Sequence, residues 1–333
     1  MMSELPHDLV RTLLAVVDEG TFDAAATALH VTPSAVSQRV KALEQRTGRV
    51  LVTRTKPVRP TASGQVVVRF ARQLARLEDD ARAELGMNDA EGHPHPRLSI
   101  AVNADSLATW FLPALTALAA PTPLAHDTHD SHHAHHAHHA HDTHDSNDAP
   151  PIYFDLRRED EAHTTELLRE GEVMAAVTSS PDPVAGCSVR RLGSMRYLPV
   201  AAPEFAARWL SGDDVERLLP RAPLICFDRR DELQDAFVRE LTGGRTGGRV
   251  NASALRHHVP SNEGFADAVT AGLGWGLVPR SQAEPRLRAG TLVGFAPGRT
   301  MEVPLYWQQW RLDSPALATV ARAVASAAAR ALE

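Results

Sequence analysis

The sequence predicts a multi-domain protein with an all-α N-terminal domain, one long connecting helix and an α/β domain of two lobes. The chain has 333 residues, two to three times the ~100 to 200 residues of a single domain. Apolar residues recur at helical spacing in roughly the first quarter of the chain, and strand and helix patterns alternate after it. No apolar run approaches the ~18 residues of a membrane-spanning helix, so we expect no membrane span.

The first two helices are short and lead into a third. Leu9, Leu13 and Val16 recur at helical spacing and stop before Gly20, a residue type that commonly ends helices. Thr21 can cap a second helix over residues 23–29, whose alanines let a neighbouring helix approach closely. A short turn then opens the next helix, so the segment has the order of a helix-turn-helix domain.

The third helix has the features of a DNA-recognition helix. Thr32 can cap it, and Pro33 suits its first position. Val36, Val40 and Leu43 fall on one face, which turns the polar side chains outward. Hydroxyl and amide groups there can meet base edges in the major groove, while basic groups take phosphates. The candidate DNA-binding residues are Thr32, Ser34, Ser37, Gln38, Arg39, Lys41 and Arg54.

Charge is distributed unevenly along the N-terminal domain, residues 1–60. The net charge of -6 for the whole chain would argue against nucleic acid if it were evenly spread. Residues 1–29 hold one basic and five acidic side chains, whereas residues 30–60 hold seven basic and one acidic. Such a cationic block is typical of phosphate binding, although a solvated helix face would carry similar charge. The last part of the N-terminal domain, residues 51–60, is extended and basic, and we expect it to form a wing.

A long helix is predicted over residues 61–90. Thr61 can cap it. Its apolar stripe, at alternating spacings of three and four, consists of Val67, Phe70, Leu74, Leu77 and Ala81. That spacing is typical of a coiled-coil seam. No neighbouring segment covers the stripe, so a dimerising linker helix is favoured over ordinary core packing.

Residues 91–333 are predicted to form a ligand-binding domain of two α/β lobes. Lobe one takes residues 97–178 and about 298–333, and lobe two takes about 179–297. The last strand, from Leu305, and the helix after Ser314 have no partners in lobe two, so they return to lobe one. The two crossings leave a cleft between the lobes. In open α/β sheets ligands bind beyond the carboxyl ends of the strands.

The segments beyond those strand ends are rich in acidic residues. Carboxylates would accept hydrogen bonds from ammonium or guanidinium groups, whereas Arg196 and the helix N-terminus at Ser106 could receive a carboxylate. A zwitterion with an extra positive charge satisfies both conditions, although solvated loop charges would give the same composition. The candidate effector-binding residues are Asn103, Asp105, Ser106, Glu159, Asp160, Glu161, His163, Thr178, Arg196, Asp228, Ser261 and Glu263.

The N-terminal segment resembles a known family. The helix pattern AAATALHVTPSAVSQRVKALEQRTGRVLVTRT, the wing, and PTASGQ opening a long helix are similar to the LysR-type transcriptional regulators, and the resemblance runs to the C-terminus. It implies a winged helix-turn-helix domain and an effector domain with two lobes like those of periplasmic binding proteins. It also implies promoter DNA and RNA polymerase as partners, and homodimers that assemble into a homotetramer.

Several further strings resemble one branch of that family. NADSLATWF, REDEAHT, PVAGC, LGSMRYL, EGFADAVTAGLGWGLVP and LYWQQWRL are similar to the lysine- and arginine-responsive regulators LysG and ArgP. The resemblance implies control of a basic amino acid exporter gene, with lysine, arginine or histidine as co-inducer. A LysR-type regulator with a different effector, including a metal, is the alternative.

The departure from the family pattern is a histidine-rich insertion at residues 121–151. It holds ten of the 17 histidines, and HDTHDS occurs twice around three copies of HHA. A perfect nested repeat of polar residues suggests replication slippage and predicts disorder. Adventitious binding of Zn or Ni is favoured over regulatory metal sensing, because no fixed set of ligands is implied.

Other functional classes are less consistent with the sequence. An enzyme would need a nucleophile elbow, a fixed metal motif or a phosphate-binding glycine loop, and GLGWG precedes a strand rather than opening a helix. A redox sensor would need reactive thiols, whereas Cys187 and Cys226, the only cysteines, are expected to be buried. A transport-type binding protein would not explain the basic N-terminal module. We expect no resident cofactor, and a protein that works in the cytoplasm.

Overall fold

The structure is a computed structural model that describes residues 5–85, 87, 97–119, 152–159, 161–212, 214–243 and 251–333. The His-rich insertion predicted at residues 121–151 lies outside the described residues. Within the described ranges, no helix has both the length and the hydropathy needed to cross a membrane.

The N-terminal domain has the predicted three helices and wing. Its elements are α1 (His7–Asp18), α2 (Phe22–Ala28), α3 (Pro33–Thr47), β1 (Val52–Thr53) and β2 (Arg59–Pro60). The hydroxyls of Thr21 and Thr32 accept hydrogen bonds from backbone N–H groups and cap α2 and α3. Gly48 ends α3 in a left-handed conformation, with φ of 63°. The buried side chains of this domain form a core of their own.

Helix α4 (Ala62–Glu84) begins tightly packed against the wing. The Thr61 hydroxyl accepts a hydrogen bond from Gly64 N at 3.1 Å and donates one to the Val50 carbonyl at 2.7 Å. A Cβ on Gly64 would lie 1.8 Å from the Leu51 carbonyl oxygen, so only glycine fits there. The predicted seam is divided by this packing. Val67 belongs to the N-terminal core, whereas the later seam positions Phe70 and Leu77 are each 41% exposed.

The α/β domain is organised around one mixed sheet and one strand pair. Its strands are β3 (Arg97–Val102), β4 (Tyr153–Arg158), β5 (Ala175–Thr178), β6 (Cys187–Ala201), β7 (Leu224–Cys226), β8 (Arg256–His258), β9 (Gly276–Pro279), β10 (Val293–Gly294) and β11 (Met301–Trp310). The sheet order is β10-β6-β11-β5-β3-β4, with β9 also on β6, and β7 pairs with β8. Strands β3, β4 and β5 are mutually parallel, but β6 and β11 are antiparallel. The sheet is therefore mixed, with a parallel part at β3, β4 and β5 and an antiparallel part at β6 and β11.

The helices cover this framework on both lobes. They are α5 (Ala104–Ser106), α6 (Leu112–Ala119), α7 (Glu161–Glu170), α8 (Pro203–Trp209), α9 (Val215–Leu218), α10 (Leu233–Thr242), α11 (Asn262–Thr270), α12 (Arg280–Arg288) and α13 (Pro315–Ala331). A π-helical turn, Leu107–Phe111, joins α5 to α6. Strand β11 pairs with β5, and α13 packs against α6. The structure thus places the last strand and helix beside the elements of lobe one.

Two long strands connect the lobes. Strands β6 and β11 pair with each other from Cys187 to Tyr197 and from Met301 to Trp310, and β6 continues into lobe two, where it pairs with β9 and β10. The sequence predicted only the second half of β6, from Tyr197. Its first half exposes Arg190 and Arg191 and so lacks the alternation of a half-buried strand.

Candidate functional site

One surface of the N-terminal domain carries the residues predicted to contact DNA. Ser34, Gln38 and Lys41 are exposed on α3, and Ser37 and Arg39 are partly exposed beside them. The opposite face of α3 packs into the domain core. The helix is therefore held by its apolar face while its polar face meets solvent.

Thr32 and Arg54 at the edges of this surface also have structural partners. The Thr32 hydroxyl caps α3 by accepting a hydrogen bond from Ala35 N at 3.2 Å. The guanidinium of Arg54, on the wing, lies 5.7 Å from the ring centroid of Phe22 at the start of α2. This cation–π contact holds the exposed Arg54 against the start of α2.

The α/β domain contains a cavity of about 690 Å³ between its lobes, a volume within the usual range for small-molecule sites. Asn103 follows β3, Glu159 follows β4 and Ser179 follows β5, all at the carboxyl ends of parallel strands. Asp228 reaches the cavity from the end of β7 in lobe two. The cavity thus lies where the strand topology predicted it.

Acidic side chains outnumber basic ones in the cavity wall. The lining carboxylates are Asp105, Glu159, Asp228, Asp231 and Glu232, and the lining guanidinium groups are Arg230 and Arg239. Apolar side chains, among them Phe265 and Leu277, complete the wall. A bound cation would gain charge-assisted hydrogen bonds in such a site, and the arginines offer a place for one carboxylate.

Asp105 connects the two lobes across the cavity. It accepts hydrogen bonds from the Tyr197 hydroxyl at 2.5 Å and from the side-chain amide of Asn262 on α11. Asn262 in turn accepts a hydrogen bond from Gln282 of α12. Burial raises the pKa of Asp105 above its usual range, and the two hydrogen bonds partly oppose that rise. The carboxyl group therefore serves as both an interlobe contact and a titratable group in the cavity.

Two other carboxylates of the cavity also hold local structure. Asp228 accepts hydrogen bonds from the backbone N–H groups of Arg230 and Asp231. Asp231 accepts from Phe227 N at 2.8 Å and from Leu233 N at 3.0 Å. These bonds shape the turn between β7 and α10 and orient both acids at the cavity wall.

The structure separates the predicted effector residues into three groups. Asn103, Asp105, Glu159 and Asp228 line the cavity. Asp160 lies outside the described residues, and only the backbone of Glu161 and His163, in α7, is described. The other five residues, Ser106, Thr178, Arg196, Ser261 and Glu263, are not among those that line the cavity.

Those five residues have other positions in the fold. Ser106 and Thr178 are fully buried, and the Ser261 hydroxyl caps α11 by accepting from Gly264 N. Glu263 is exposed in the first turn of that helix. The sequence pattern did not indicate the direction of these side chains.

Arg196 is a correction to the sequence prediction. It pairs with Glu302 at 2.9 Å and with Glu333, so its guanidinium is engaged away from the cavity. The next residue on β6, Tyr197, lines the cavity. Successive side chains of a strand point to opposite faces, so Tyr197 and Arg196 cannot share one face. The cavity arginines are instead Arg230 and Arg239.

Several lining residues were missed in the sequence. Tyr197 directly follows the predicted residue Arg196, Gln234 lies in α10 and Thr165 lies in α7. Asn262 stands between two predicted residues, Ser261 and Glu263. The available signal was the polar run DRRDELQ after β7, of which only the first residue was selected.

Helix α7 connects the cavity to the linker helix. Thr165 lines the cavity from the middle of α7, and Glu170 at the C-terminal end of that helix accepts a hydrogen bond from Gln65 of α4 at 3.2 Å. Arg72 of α4 donates to the Glu170 carbonyl at 3.0 Å and pairs with Asp18 of α1 at 2.7 Å. Arg72 thus contacts both the α/β domain and the N-terminal domain.

Comparison with protein families assigns both regions. Residues 7–65 match a bacterial regulatory helix-turn-helix protein of the lysR family, and residues 146–329 match the LysR substrate binding domain. The chain belongs to the LysR family of transcriptional regulators. This LysR-family protein is therefore a DNA-binding regulator rather than an enzyme.

Close relatives match this LysR-family protein over nearly its full length. It is 44% identical over 320 residues to the lysine export transcriptional regulatory protein LysG of Corynebacterium efficiens, covering 95% of this chain and 96% of that one. The crystal structure of ArgP from Mycobacterium tuberculosis matches with a TM-score of 0.83 and 41% identity, covering 99% of both chains. Full-length LysG from Corynebacterium glutamicum with bound effector Arg gives 0.77 and 38%, covering 99% of this chain and 100% of that one.

Neither cysteine is suited to redox sensing in this LysR-family protein. Cys187 and Cys226 are free and buried, and burial raises the pKa of each thiol to about 11. The reactive thiolate is therefore disfavoured at neutral pH. Across the described ranges, no group of three His, Cys, Asp or Glu side chains is arranged to hold a metal ion.

Proposed function

We propose that this regulator responds to a basic amino acid, lysine, arginine or histidine, and controls the gene of a basic amino acid exporter. The observation that carries the proposal is the excess of carboxylates over guanidinium groups in the interlobe cavity. The relatives named LysG, one of them with bound effector Arg, support the same ligand class.

The cavity chemistry favours a zwitterion with an additional cation. Asp105 and Glu159 in lobe one can accept hydrogen bonds from an ammonium or guanidinium group, and Arg230 or Arg239 in lobe two can receive the α-carboxylate. A ligand that uses both lobes stabilises the closed arrangement, because its affinity is greatest when both walls contact it. An anionic ligand such as glutamate would place a second carboxylate among the acidic side chains.

Effector binding would reach the DNA-binding domain through α7 and α4. A ligand that shifts α7 through Thr165 also shifts Glu170, whose carbonyl and carboxylate contact Arg72 and Gln65. Because Arg72 also pairs with Asp18, the displacement would change the placement of α1. In an oligomer, that change would alter the spacing of the recognition helices and hence the recruitment or release of RNA polymerase.

The oligomer is proposed to be a homodimer that assembles into a homotetramer. The exposed seam positions Phe70 and Leu77 support a dimer built on α4, since a coiled coil would cover them. Access to chromosomal promoter DNA supports the cytoplasm as the place of action.

Calorimetric titration of the purified full-length protein tests the effector. We expect lysine and arginine to bind and to raise the melting temperature by mass action. At a ligand concentration a hundredfold above Kd, the free energy of unfolding would increase by about 2.7 kcal/mol. Norleucine, which lacks the side-chain ammonium, and glutamate are the controls. Binding of either as tightly as lysine would contradict a basic amino acid effector.

A further inference from the structure

Two amide side chains of the effector cavity carry buried oxygens that have no hydrogen-bond partner in the part of the chain that the structure describes. Asn103 lies directly after β3 in lobe one, and Gln234 lies in the first turn of α10 in lobe two. They are 4% and 1% exposed, and the unpartnered atoms are Oδ1 of Asn103 and Oε1 of Gln234. A buried acceptor without a donor is unfavourable and requires a physical explanation.

The neighbouring acceptors of the cavity differ from these two in having partners. Asp105 accepts from Tyr197 and Asn262, and Asp231 accepts from two backbone N–H groups. The fold has therefore supplied donors to nearby carboxylates of the same wall but not to these amide oxygens. Both residues line the cavity, so a molecule bound there can supply the missing donor.

Gln308 is a second buried glutamine, and its side-chain amide serves the fold. It is fully buried beneath the loop after β5, and its Oε1 accepts from Val184 N at 3.0 Å. Its Nε2 donates to the carbonyls of Ser180 and Asp182 at 3.2 and 2.9 Å. The amide of Gln308 thus has partners within the fold, whereas the oxygen of Gln234 has none among the described residues.

We propose that Gln234 is an effector-binding residue, whose amide oxygen accepts a hydrogen bond from an ammonium or guanidinium N–H of the bound ligand. Asn103 offers an acceptor from the opposite lobe, so a ligand with several N–H donors would satisfy both walls at once. A neutral amide tolerates the ligand-free state better than a further buried carboxylate would, because no charge is left unpaired. The inference rests on the proposed function, since basic amino acids carry the required donors.

The test compares two buried glutamines in the full-length protein. Gln234→Leu removes an acceptor that has no partner, so the melting temperature of the ligand-free protein is expected to stay the same or rise. Arginine affinity is expected to fall about tenfold or more, since a hydrogen bond to a charged group is lost. The control, Gln308→Leu, loses three hydrogen bonds and is expected to lower the melting temperature.

Two further variants keep the test independent of one substitution. Gln234→Met has similar length without a strong acceptor and is expected to behave as Gln234→Leu does. Gln234→Glu keeps an acceptor and is expected to retain arginine binding. The measurements are calorimetric titration with arginine and lysine, and thermal unfolding without ligand.

The outcomes separate this inference from the proposed function. Wild-type affinity in both Gln234→Leu and Gln234→Met would overturn the inference alone. A fall in melting temperature as large as that of Gln308→Leu would also overturn it, because it would show that the amide serves the fold. A wild-type protein indifferent to arginine and lysine would remove the proposed function, and this inference with it.

Discussion

Asp105 is a carboxyl group whose surroundings disfavour its charge. Burial raises its pKa above the ordinary value of 3.8, and Asp231 adds a like charge nearby. The folded protein therefore binds this proton more tightly than the unfolded chain does. The stability that Asp105 contributes is present at pH values below the ordinary pKa and is lost as pH rises through the folded pKa.

A cationic effector should favour the ionised form of Asp105 over the protonated form. A cation beside Asp105 stabilises the ionised form, so binding releases a proton and arginine affinity falls as pH is lowered through the folded pKa. Titration calorimetry in two buffers of different ionisation enthalpy measures the proton release. Asp105→Asn is expected to abolish it and to weaken arginine binding by roughly tenfold or more. The control is Glu302→Gln, an exposed partner of Arg196 outside the cavity. If Asp105→Asn released as many protons on arginine binding as the wild type does, the role of this carboxylate would be contradicted.

Gln38 and Arg54 are expected to contribute differently to DNA binding. Gln38 is exposed on α3 and can meet a base edge, whereas Arg54 on the wing can meet a phosphate. Gln38→Ala is expected to reduce sequence preference by ~1 to 3 kcal/mol at one position, and Arg54→Ala to weaken binding to all sequences and lower the salt dependence. Salt titrations of binding to specific and random DNA measure both effects. If both variants lost the same affinity for specific and for random DNA, the assignment of base recognition to α3 would be wrong.

At the scale of elements, the contact between α4 and α7 was not foreseen. The apolar seam of the linker helix predicts a contact with a partner chain, but the polar face of the same helix carries Gln65, Arg69 and Arg72, which contact the end of α7. Gly171, with φ of 75°, allows this approach, because a Cβ there would lie 3.0 Å from the Arg69 backbone. One face of the linker helix therefore contacts α7, while the proposed dimer seam lies elsewhere on the helix.

Arg72→Ala tests whether this contact transmits the effector signal. The variant loses the bonds to Asp18 and to the Glu170 carbonyl, so DNA binding is expected to persist while its response to arginine diminishes. Arg82→Ala is the matched control, since Arg82 lies on the same helix and pairs only with Glu78 among the ion pairs described. Promoter binding with and without arginine, measured by fluorescence anisotropy, provides the readout. An unchanged response in Arg72→Ala would exclude this route.

At the scale of the whole molecule, two domains with separate cores are joined by α4. The N-terminal core and the cores of the α/β domain share no residue. The α/β domain therefore has a fold of its own on which a ligand can act, and the linker helix is the proposed route from that ligand to the N-terminal domain. The role of the His-rich insertion at residues 121–151 stays a prediction.

Deleting residues 123–150 and closing the gap with a short loop tests that feature. A polar repeat cannot form a core, so the melting temperature and the arginine response are expected to stay close to wild type, while Zn or Ni binding is lost. Thermal unfolding and metal titration measure these properties, with chelated wild-type protein as the control. Loss of arginine-dependent DNA binding by the deletion variant in chelated buffer would contradict the slippage interpretation.

The sequence by itself determined the order of the domains, the capped recognition helix and the strand ends at which the cavity lies. These features depend on local spacing, on caps such as Thr32, and on the chain order of strands and helices. Only the tertiary structure decided which side chains face the cavity. Arg196 points away and Tyr197 points in because the register of β6 against β11 sets the face of each residue, and Asp105 meets Asn262 because the lobes close on each other. Such contacts join residues far apart in the chain, and no local pattern encodes them.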